Sequence, residues 1–364
     1  MEQKTIVTLD KLPQVRILGR TTRTHTGAVN LFWTACGIEL EFSGSELWIE
    51  LNADYDTMEP WLAVELNGAQ ISRFPVNKGK SEICLFRGMT AGPAKHVRVL
   101  KEVQAMNEDP AHLLQITGLR YENGEFLSVP DPGRRLEFIG DSITCGEGTM
   151  GAVQEEDWIS AFFSATNSYP RMVADAMNAE YRVISQSGWG IVTGWDGNVQ
   201  NKMPPFYTQV CGLLTGERNQ SLGALDDYDF TAWQPDAVII NLGTNDATAI
   251  QSAAELGREW AGTRDMREVN EILTTAIHKF LKVVRGCNPT AQILWCYGML
   301  GDQFLPVIRY AVENYAKQTE DRRIHFLQLP DTTPDTVGSR LHPGVKAHEK
   351  AARVLENFLQ RLSV

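Results

Sequence analysis

Three short segments, far apart along the chain, carry the residue types that nucleophilic hydrolysis needs. Ser142 ends a Gly-Asp-Ser turn that directly follows the apolar stretch 136–139. Asn245 lies in the Gly-Thr-Asn-Asp segment 243–246, and His342 precedes a proline just before the last predicted helix. A serine hydroxyl attacks a carbonyl carbon only when a base removes its proton and when hydrogen-bond donors stabilise the oxyanion that forms. These residue types therefore indicate acyl transfer through a serine.

The residues divide naturally between these tasks. Ser142 is the predicted nucleophile, and its backbone N–H, at a helix start, is one predicted oxyanion donor. The Asn245 side chain is a second donor. A third predicted donor is the N–H of a glycine that follows the second strand of this domain, and both Gly188 and Gly190 are placed for it. His342 is the predicted base.

Each of these residues also has an ordinary structural interpretation. Ser142 could cap a helix, and Asn245 could form a turn at the end of a strand. His342 could be a solvated loop residue, and His348 is interpreted as a packed residue rather than a catalytic one. The catalytic interpretation is favoured because independent positions agree with it in order along the chain.

Residues 130–364 are predicted to form a parallel sheet with helices on both faces. Apolar stretches alternate with amphipathic stretches, a pattern that is typical of α/β domains. The predicted strands are 136–139, 181–185, 237–240, 293–296 and 324–327, and the predicted helices are 168–177, 266–285, 305–316 and 345–362. Ligands bind at the carboxyl ends of such strands, where Ser142 and Asn245 are placed.

Residues 1–129 are predicted to form a separate all-β domain. Short stretches with period-two alternation are separated by turn residues, which is typical of an antiparallel sandwich. The predicted strands are 15–18, 37–42, 46–51, 62–66, 83–86, 96–100 and 113–117. Asn67-Gly68 is a strong hairpin signal, and Pro130-Asp131-Pro132-Gly133 marks the domain boundary.

Two aromatic-rich segments, 148–164 and 195–233, interrupt the strand–helix alternation. We interpret them as walls of a substrate cleft, although any single aromatic residue in them could instead belong to the core. Trp195 in the second segment, together with Trp189 and Asp141, is a predicted substrate-binding residue.

Composition excludes several classes of partner. The formal net charge is -11, which argues against nucleic acid and against an anionic membrane surface. The six cysteines are scattered and are expected to be free thiols, and neither a metal nor another cofactor is expected. The amino terminus shows no secretory signal, so a cytoplasmic location is expected unless a leader has been removed.

Four sequence blocks resemble those of the SGNH (GDSL-type) hydrolases. They are Gly140-Asp141-Ser142, the glycine after the second strand, Gly243-Thr244-Asn245-Asp246 and His342-Pro343. With a β-sandwich ahead of it, the chain is similar to the family 2 carbohydrate esterases. The resemblance implies a three-layer α/β/α domain of flavodoxin type preceded by a jelly-roll domain. It also implies Ser142, Gly190 and Asn245 as oxyanion donors, with Gly190 preferred over Gly188 because Ser185-x-Ser187-x-x-Gly190 fits the family's second block.

One position departs from the family pattern. An aspartate usually lies three residues before the histidine, and here that residue is Ser339. A histidine without a carboxylate loses control of its tautomer and stabilisation of its cation. Either a backbone carbonyl orients His342, as is known in family 2 esterases, or Asp331 or Asp335 does so from the preceding loop. We favour the carbonyl.

The expected function is removal of O-acetyl groups from carbohydrates such as acetylated xylan or glucomannan oligosaccharides. Alternatives are a lipase or thioesterase for longer acyl chains, and a catalytically weak glycan-binding protein. The tryptophan-rich segments favour a sugar substrate over a long acyl chain. No oligomeric state is indicated.

Overall fold

The computed structural model describes residues 5–362 and 364. The first four residues, on which part of the expectation about a secretory signal rests, lie outside the described residues. The chain forms two compact units. The first extends to Pro132 and also contains Ile159–Ala161 and Gln209–Asp227. The second comprises Gly133–Trp158, Phe162–Thr208 and the residues from Tyr228 onward.

The first unit contains two antiparallel six-stranded sheets. One has the order β3-β4-β11-β6-β9 with β1 also paired to β11, and the other has the order β12-β5-β10-β7-β8 with β2 paired to β5. The strands are β1 (Thr5–Val7), β2 (Arg16–Leu18), β3 (Thr21–Arg23), β4 (Val29–Leu31), β5 (Gly37–Phe42), β6 (Glu46–Asp54), β7 (Trp61–Leu66), β8 (Ala69–Pro75), β9 (Gly79–Arg87), β10 (Lys95–Lys101), β11 (Leu113–Tyr121) and β12 (Phe126–Leu127).

These two sheets pack against each other through apolar faces. Alternate residues of β6 are buried, as its period-two sequence predicts. The Phe42 ring of one sheet lies 5.4 Å from Tyr121 and 6.4 Å from Phe86 of the other, between ring centroids. Asn67 and Gly68, with φ of 53° and 83°, form the turn of the β7–β8 hairpin. The predicted β-sandwich is therefore confirmed.

Part of the segment 195–233, interpreted above as a cleft wall, has a different place in the fold. Gln209–Asp227, with its short helix Glu217–Ser221, belongs to the first unit. The buried indole of Trp33 donates to the Val210 carbonyl at 2.7 Å. Tyr207, in the second unit, is fully buried and donates to Glu137 at 2.7 Å, so it is a core residue. A buried indole or phenol needs a hydrogen-bond acceptor, and these acceptors lie at sequence distances that periodicity does not reveal.

The second unit is built on a five-stranded parallel sheet with the order β14-β13-β15-β16-β17. Its elements are β13 (Arg135–Gly140), α1 (Ser142–Cys145), α2 (Tyr169–Ala176), β14 (Glu180–Ser185), β15 (Ala237–Asn241), α3 (Thr244–Glu255), α4 (Met266–Cys287), β16 (Gln292–Tyr297), α5 (Leu305–Gln318), β17 (Ile324–Gln328) and α6 (Val345–Arg361). Numbered along this unit, the strands have the order 2-1-3-4-5 of flavodoxin-like folds, which confirms the predicted fold class.

Helical periodicity explains how the helices cover this sheet. The N-cap Asp265 of α4 accepts a hydrogen bond from the Arg267 N–H, and the helix then buries one stripe of apolar residues: Val269, Leu273, Ile277, Phe280, Leu281 and Val284. All five residues of β15 are buried, as expected for a central parallel strand. Among the described residues, no helix is both long and apolar enough to cross a bilayer.

Candidate active site

Two neighbouring strands end side by side and deliver Ser142 and Asn245 to one edge of the sheet. In the β13–β15 pair, Gly140 lies opposite Asn241, and each strand leads within a few residues into a helix. Gly140 admits no side chain, because a Cβ there would lie 2.0 Å from the Thr144 hydroxyl oxygen. The close approach of α1 to its strand therefore sets where Ser142 stands.

The loop before α6 brings His342 to the same edge. The Nε2 atom of His342 lies 3.0 Å from Ser142 Oγ, which is hydrogen-bonding distance. The serine is 5% exposed, so its hydroxyl is nearly enclosed by protein. The structure thus places the predicted nucleophile in direct contact with the predicted base.

The other nitrogen of His342 fixes the tautomer. Nδ1 lies 2.9 Å from the Arg340 carbonyl oxygen, which can only accept a hydrogen bond. Nδ1 therefore carries the hydrogen, and in the neutral ring Nε2 is left as the acceptor for the Ser142 hydroxyl. This arrangement gives His342 the tautomer that a general base requires.

The carboxylates considered as alternatives lie elsewhere. Asp331 is exposed and accepts hydrogen bonds from the backbone N–H groups of Gly301 and Thr332, both at 2.9 Å. Asp335 is exposed as well, and the bond to Arg340 occupies the ring nitrogen that either carboxylate would need. Ser339, at the family's aspartate position, is buried and donates to the Met150 carbonyl at 2.8 Å. Of the groups considered for orienting His342, the one that contacts the ring in the structure is the backbone carbonyl of Arg340.

The carbonyl points at the imidazole because the backbone before His342 is left-handed. Arg340 and Leu341 both have φ of 56°, in the region that non-glycine residues rarely adopt. Backbone hydrogen bonds hold this turn: Ser339 donates to Gly148 at 3.1 Å, and Arg340 donates to Glu155 at 2.7 Å. Such unfavourable conformations persist only where surrounding contacts impose them.

Asn245 is held by two acceptors. Its Nδ2 atom lies 2.9 Å from the Trp189 carbonyl and 3.2 Å from Asp141 Oδ2. Asp141 is 1% exposed and also accepts from the Ile143 N–H at 3.1 Å as the N-cap of α1. Burial, together with the nearby charges of Asp246 and Glu147, raises the pKa of Asp141 to about 7. Both Asp141 oxygens have protein partners, so in this structure the carboxylate positions Asn245 and the N-terminus of α1, and its role as a substrate ligand stays a prediction.

The two predicted backbone donors differ in their hydrogen bonding. For the Ser142 N–H, no acceptor is found within the described part of the chain, as expected at the first position of a helix. The Gly190 N–H donates to the Asn201 carbonyl at 3.3 Å, a long contact that an incoming oxyanion would have to replace. Gly190 stays a predicted donor.

Asp246 is a site residue that the sequence analysis did not single out. Its carboxylate accepts from the backbone N–H groups of Ile191 at 2.7 Å, Val192 at 2.8 Å and Thr193 at 3.0 Å. A Cβ at Gly190 would lie 2.3 Å from Asp246 Oδ2. The loop after β14 therefore wraps around this carboxylate, whose pKa burial raises to about 6. Its position next to Asn245 in the sequence could have indicated that Asp246 belongs to the site.

Glu147 and Arg340 were also missed. Glu147 is 1% exposed, and its carboxylate accepts from Arg340 Nε at 2.9 Å and from the Ser187 hydroxyl. The same carboxylate lies 3.8 Å from His342 Nε2. The position of Glu147, a few residues after Ser142, could have indicated a role in the site. A buried charge requires a partner, but the sequence does not show which residue that partner is.

The two predicted substrate-binding tryptophans lie in different environments. Trp189 is 7% exposed and its ring packs 5.2 Å from Phe206, which leaves little of its surface for a sugar. Trp195 is 60% exposed. Its backbone N–H donates to the Gly188 carbonyl at 3.0 Å, in the same loop as Gly190. Of the two, Trp195 is the one that offers an exposed ring. Within residues 5–362 and 364, no cluster of three His, Cys, Asp or Glu side chains suited to a metal occurs.

Comparison with known proteins identifies both units. Residues 136–355 match the family model described as GDSL-like lipase/acylhydrolase, and residues 17–130 match the model described as carbohydrate esterase 2 N-terminal. The solved structure of an acetyl xylan esterase from the rumen bacterium Butyrivibrio proteoclasticus is 42% identical with a TM-score of 0.92, covering 99% of this chain and 98% of that one.

Two further relatives span nearly all of this chain. The cellulase/esterase CelE of Acetivibrio thermocellus is 27% identical over 94% of this chain, which matches only 39% of the length of CelE. An acetylxylan esterase/glucomannan deacetylase of Cellvibrio japonicus is 22% identical over 96% of this chain and 89% of that protein. With both family models matched in order, the chain belongs to the GDSL-like lipase/acylhydrolase family and, within it, to the family 2 carbohydrate esterases.

Proposed function

We propose that this chain is a serine esterase that removes O-acetyl groups from carbohydrates, with xylan or glucomannan oligosaccharides as substrates. The observation that carries the proposal is the contact of 3.0 Å between Ser142 Oγ and His342 Nε2, with the opposite ring nitrogen bound to a carbonyl. This geometry supports a hydroxyl whose proton has a base ready to accept it.

The reaction follows from the positions of these atoms. Ser142 Oγ bonds to the acetyl carbonyl carbon while its proton moves to His342 Nε2, and the carbonyl oxygen becomes an oxyanion. The imidazolium then gives the proton to the sugar oxygen as the carbon–oxygen bond of the ester breaks, which leaves an acetyl group on Ser142. Water, deprotonated by His342, then attacks the carbonyl carbon of this acetyl-enzyme. The bond to Ser142 Oγ breaks as the imidazolium returns the proton to that oxygen, and acetate is released.

The oxyanion has three predicted donors, of which Asn245 Nδ2 and the Gly190 N–H are bound to protein acceptors in the structure. The Ser142 N–H is free of a protein acceptor within the described residues, and Asn245 Nδ2 is bound to Asp141, the residue that precedes Ser142. The Asn245 bond to Asp141 is the longer of its two bonds, at 3.2 Å against 2.9 Å, so an oxyanion would replace that one at the smaller cost. The bond to Trp189 would continue to hold the amide in place.

The sugar substrate is supported by the relatives and by one side chain. The proteins from Butyrivibrio proteoclasticus and Cellvibrio japonicus are named acetyl xylan esterase and acetylxylan esterase/glucomannan deacetylase. In this chain Trp195 presents an exposed indole on the loop that contains Gly190, where a pyranose face could pack.

A panel of substrates tests the proposal. Purified protein is assayed on p-nitrophenyl acetate, butyrate and octanoate, and acetate release is measured from acetylated xylan and glucomannan oligosaccharides, with Ser142→Ala as the control for background hydrolysis. Preference for acetate esters, with release of acetate from either oligosaccharide, is the expected result. Faster turnover of octanoate with no acetate from the oligosaccharides would assign the chain to lipases or thioesterases instead.

A further inference from the structure

A single buried carboxylate links three of the loops that surround the active site. Glu147 follows α1, and its N–H donates to the Ser142 carbonyl at 3.0 Å. Its side chain accepts from Ser187, in the loop after β14, and from Arg340, in the loop that precedes His342. Because the carboxylate is 1% exposed, these protein donors take the place of water around it.

The link to Arg340 bears directly on the base. Arg340 is left-handed, and its carbonyl is the group that binds His342 Nδ1. The guanidinium is clamped at two points, by Glu147 through Nε at 2.9 Å and by the Glu156 carbonyl through Nη1 at 2.6 Å. A residue anchored at both side chain and backbone has little freedom to rotate its carbonyl away from the imidazole.

We propose that Glu147, acting through Arg340, is the positioning residue that replaces the absent aspartate of this active site. The aspartate of a catalytic triad orients histidine by direct contact. Here the carboxylate holds a guanidinium, the guanidinium holds a strained turn, and the carbonyl of that turn holds His342. The inference rests on the proposed esterase reaction, which assigns His342 the role of base.

The close packing of the same loops supports a positioning role for Glu147 beyond that of an isolated ion pair. Gly148 directly follows Glu147, and a Cβ there would lie 2.5 Å from His342 Cβ and 2.7 Å from the Ser339 carbonyl oxygen. The segment that carries Glu147 is thus pressed against the loop that carries His342. A shift of the carboxylate would be transmitted to the imidazole through backbone contacts as well as through Arg340.

Two variants separate the side-chain clamp from the carbonyl itself. Glu147→Gln keeps the size of the side chain but removes its charge, and Arg340→Met removes the guanidinium while leaving the carbonyl in place. Each is expected to lower kcat by about 10- to 100-fold, the loss that follows from a small misplacement of a catalytic group. The KM should stay within about twofold of the wild-type value, because no substrate contact is removed.

The double variant and a matched control sharpen the test. If Glu147 and Arg340 act as one unit, the double variant should be no slower than the slower single variant. Asp157→Asn removes an exposed carboxylate from the same loop and should leave kcat unchanged. Thermal unfolding of every variant shows whether it is folded, and if Glu147→Gln does not fold, Arg340→Met still tests the clamp.

An NMR measurement reports on the imidazole without relying on activity. Protein labelled with ¹⁵N in histidine should show an Nδ1–H resonance from His342, identified by its absence in His342→Gln. That resonance should be lost to exchange in Arg340→Met and in Glu147→Gln but kept in Asp157→Asn. An unaltered resonance and wild-type kcat in folded Arg340→Met, or losses that add in the double variant, would overturn the inference. Wild-type protein without esterase activity would instead contradict the proposed function, and the resonance would still test the positioning.

Discussion

Ser142 and His342 are 200 residues apart in the chain, yet the serine Oγ lies 3.0 Å from the histidine Nε2. A strand end places the serine and a left-handed turn places the histidine, and the carbonyl of that turn fixes which ring nitrogen accepts the proton. The site therefore brings a hydroxyl against an imidazole, and in the described part of the chain no carboxylate is hydrogen-bonded to that ring.

Because a backbone carbonyl orients His342, the acidic residues of the preceding loop are expected to contribute nothing to turnover. Asp331→Asn and Asp335→Asn should each keep kcat/KM at the wild-type value, since neither carboxylate contacts the imidazole and an amide oxygen at position 331 could still accept the two backbone hydrogen bonds. Steady-state kinetics on p-nitrophenyl acetate measures this. A loss of about 10³-fold or more in either variant would reveal a triad that forms only with substrate bound.

The amide of Asn245 is expected to stabilise the oxyanion. Asn245→Ala should lower kcat by about 10²- to 10³-fold with a small change in KM, because the interaction is stronger in the transition state than with bound substrate. Asn357→Ala removes an exposed amide on α6 whose hydrogen bond is to Arg353 in the same helix, and it serves as the control. A variant of Asn245 that lost affinity but kept kcat would make Asn245 a ground-state ligand.

Trp195 is expected to act on the sugar and not on the acetyl group. Trp195→Ala should raise KM for acetylated oligosaccharides by about 2- to 10-fold through loss of an aromatic contact, while leaving kcat/KM for p-nitrophenyl acetate unchanged. Tyr310→Ala removes an aromatic side chain of the same 60% exposure from α5 and is the control. Equal effects on both substrates would remove Trp195 from sugar recognition.

The buried His348 should make stability depend on pH. Its Nδ1 accepts the Tyr169 N–H at 3.0 Å, and burial lowers its pKa from the usual 6.5 to about 3. Between these values the unfolded chain binds a proton that the folded chain does not, so stability is lost as the pH falls from 6.5 towards 3. In His348→Gln this part of the slope disappears, a difference approaching about 1.4 kcal/mol per pH unit.

Denaturant unfolding at a series of pH values measures that slope for both proteins. His25→Gln removes an exposed histidine and is the matched control. Parallel pH dependences of the unfolding free energy in wild type and His348→Gln would show that His348 is not held in its neutral form.

Much of the fold could be predicted because its signals are local. The parallel strands are apolar runs, the helices have one apolar stripe, and Asn67-Gly68 dictates its hairpin. The strand β8, by contrast, is mostly exposed and lacks alternation, so no pattern marks it. Gln209–Asp227 could not be assigned to the first unit, because its bond to Trp33 spans 177 residues.

In the site, the three candidate catalytic residues and a backbone carbonyl as the orienter of His342 could be predicted, but not which residue supplies that carbonyl or which carboxylates support the loops. Ser142, Asn245 and His342 lie at strand ends and helix starts, where a linear motif carries information. The orienting groups are a carbonyl, which every residue possesses, and the carboxylates of Glu147 and Asp246, which act on distant backbone and side-chain donors. No residue type encodes such pairings.

Trapping the acyl-enzyme tests most directly whether acyl transfer passes through Ser142 with His342 as its base. Protein mixed rapidly with p-nitrophenyl acetate and quenched in acid is digested and mapped by mass spectrometry. One acetyl group is expected on the peptide that contains Ser142, accumulating in step with the first release of p-nitrophenol and absent from Ser142→Ala. Sustained turnover by Ser142→Ala, or an acetyl group on a different residue that forms at the rate of turnover, would contradict this expectation.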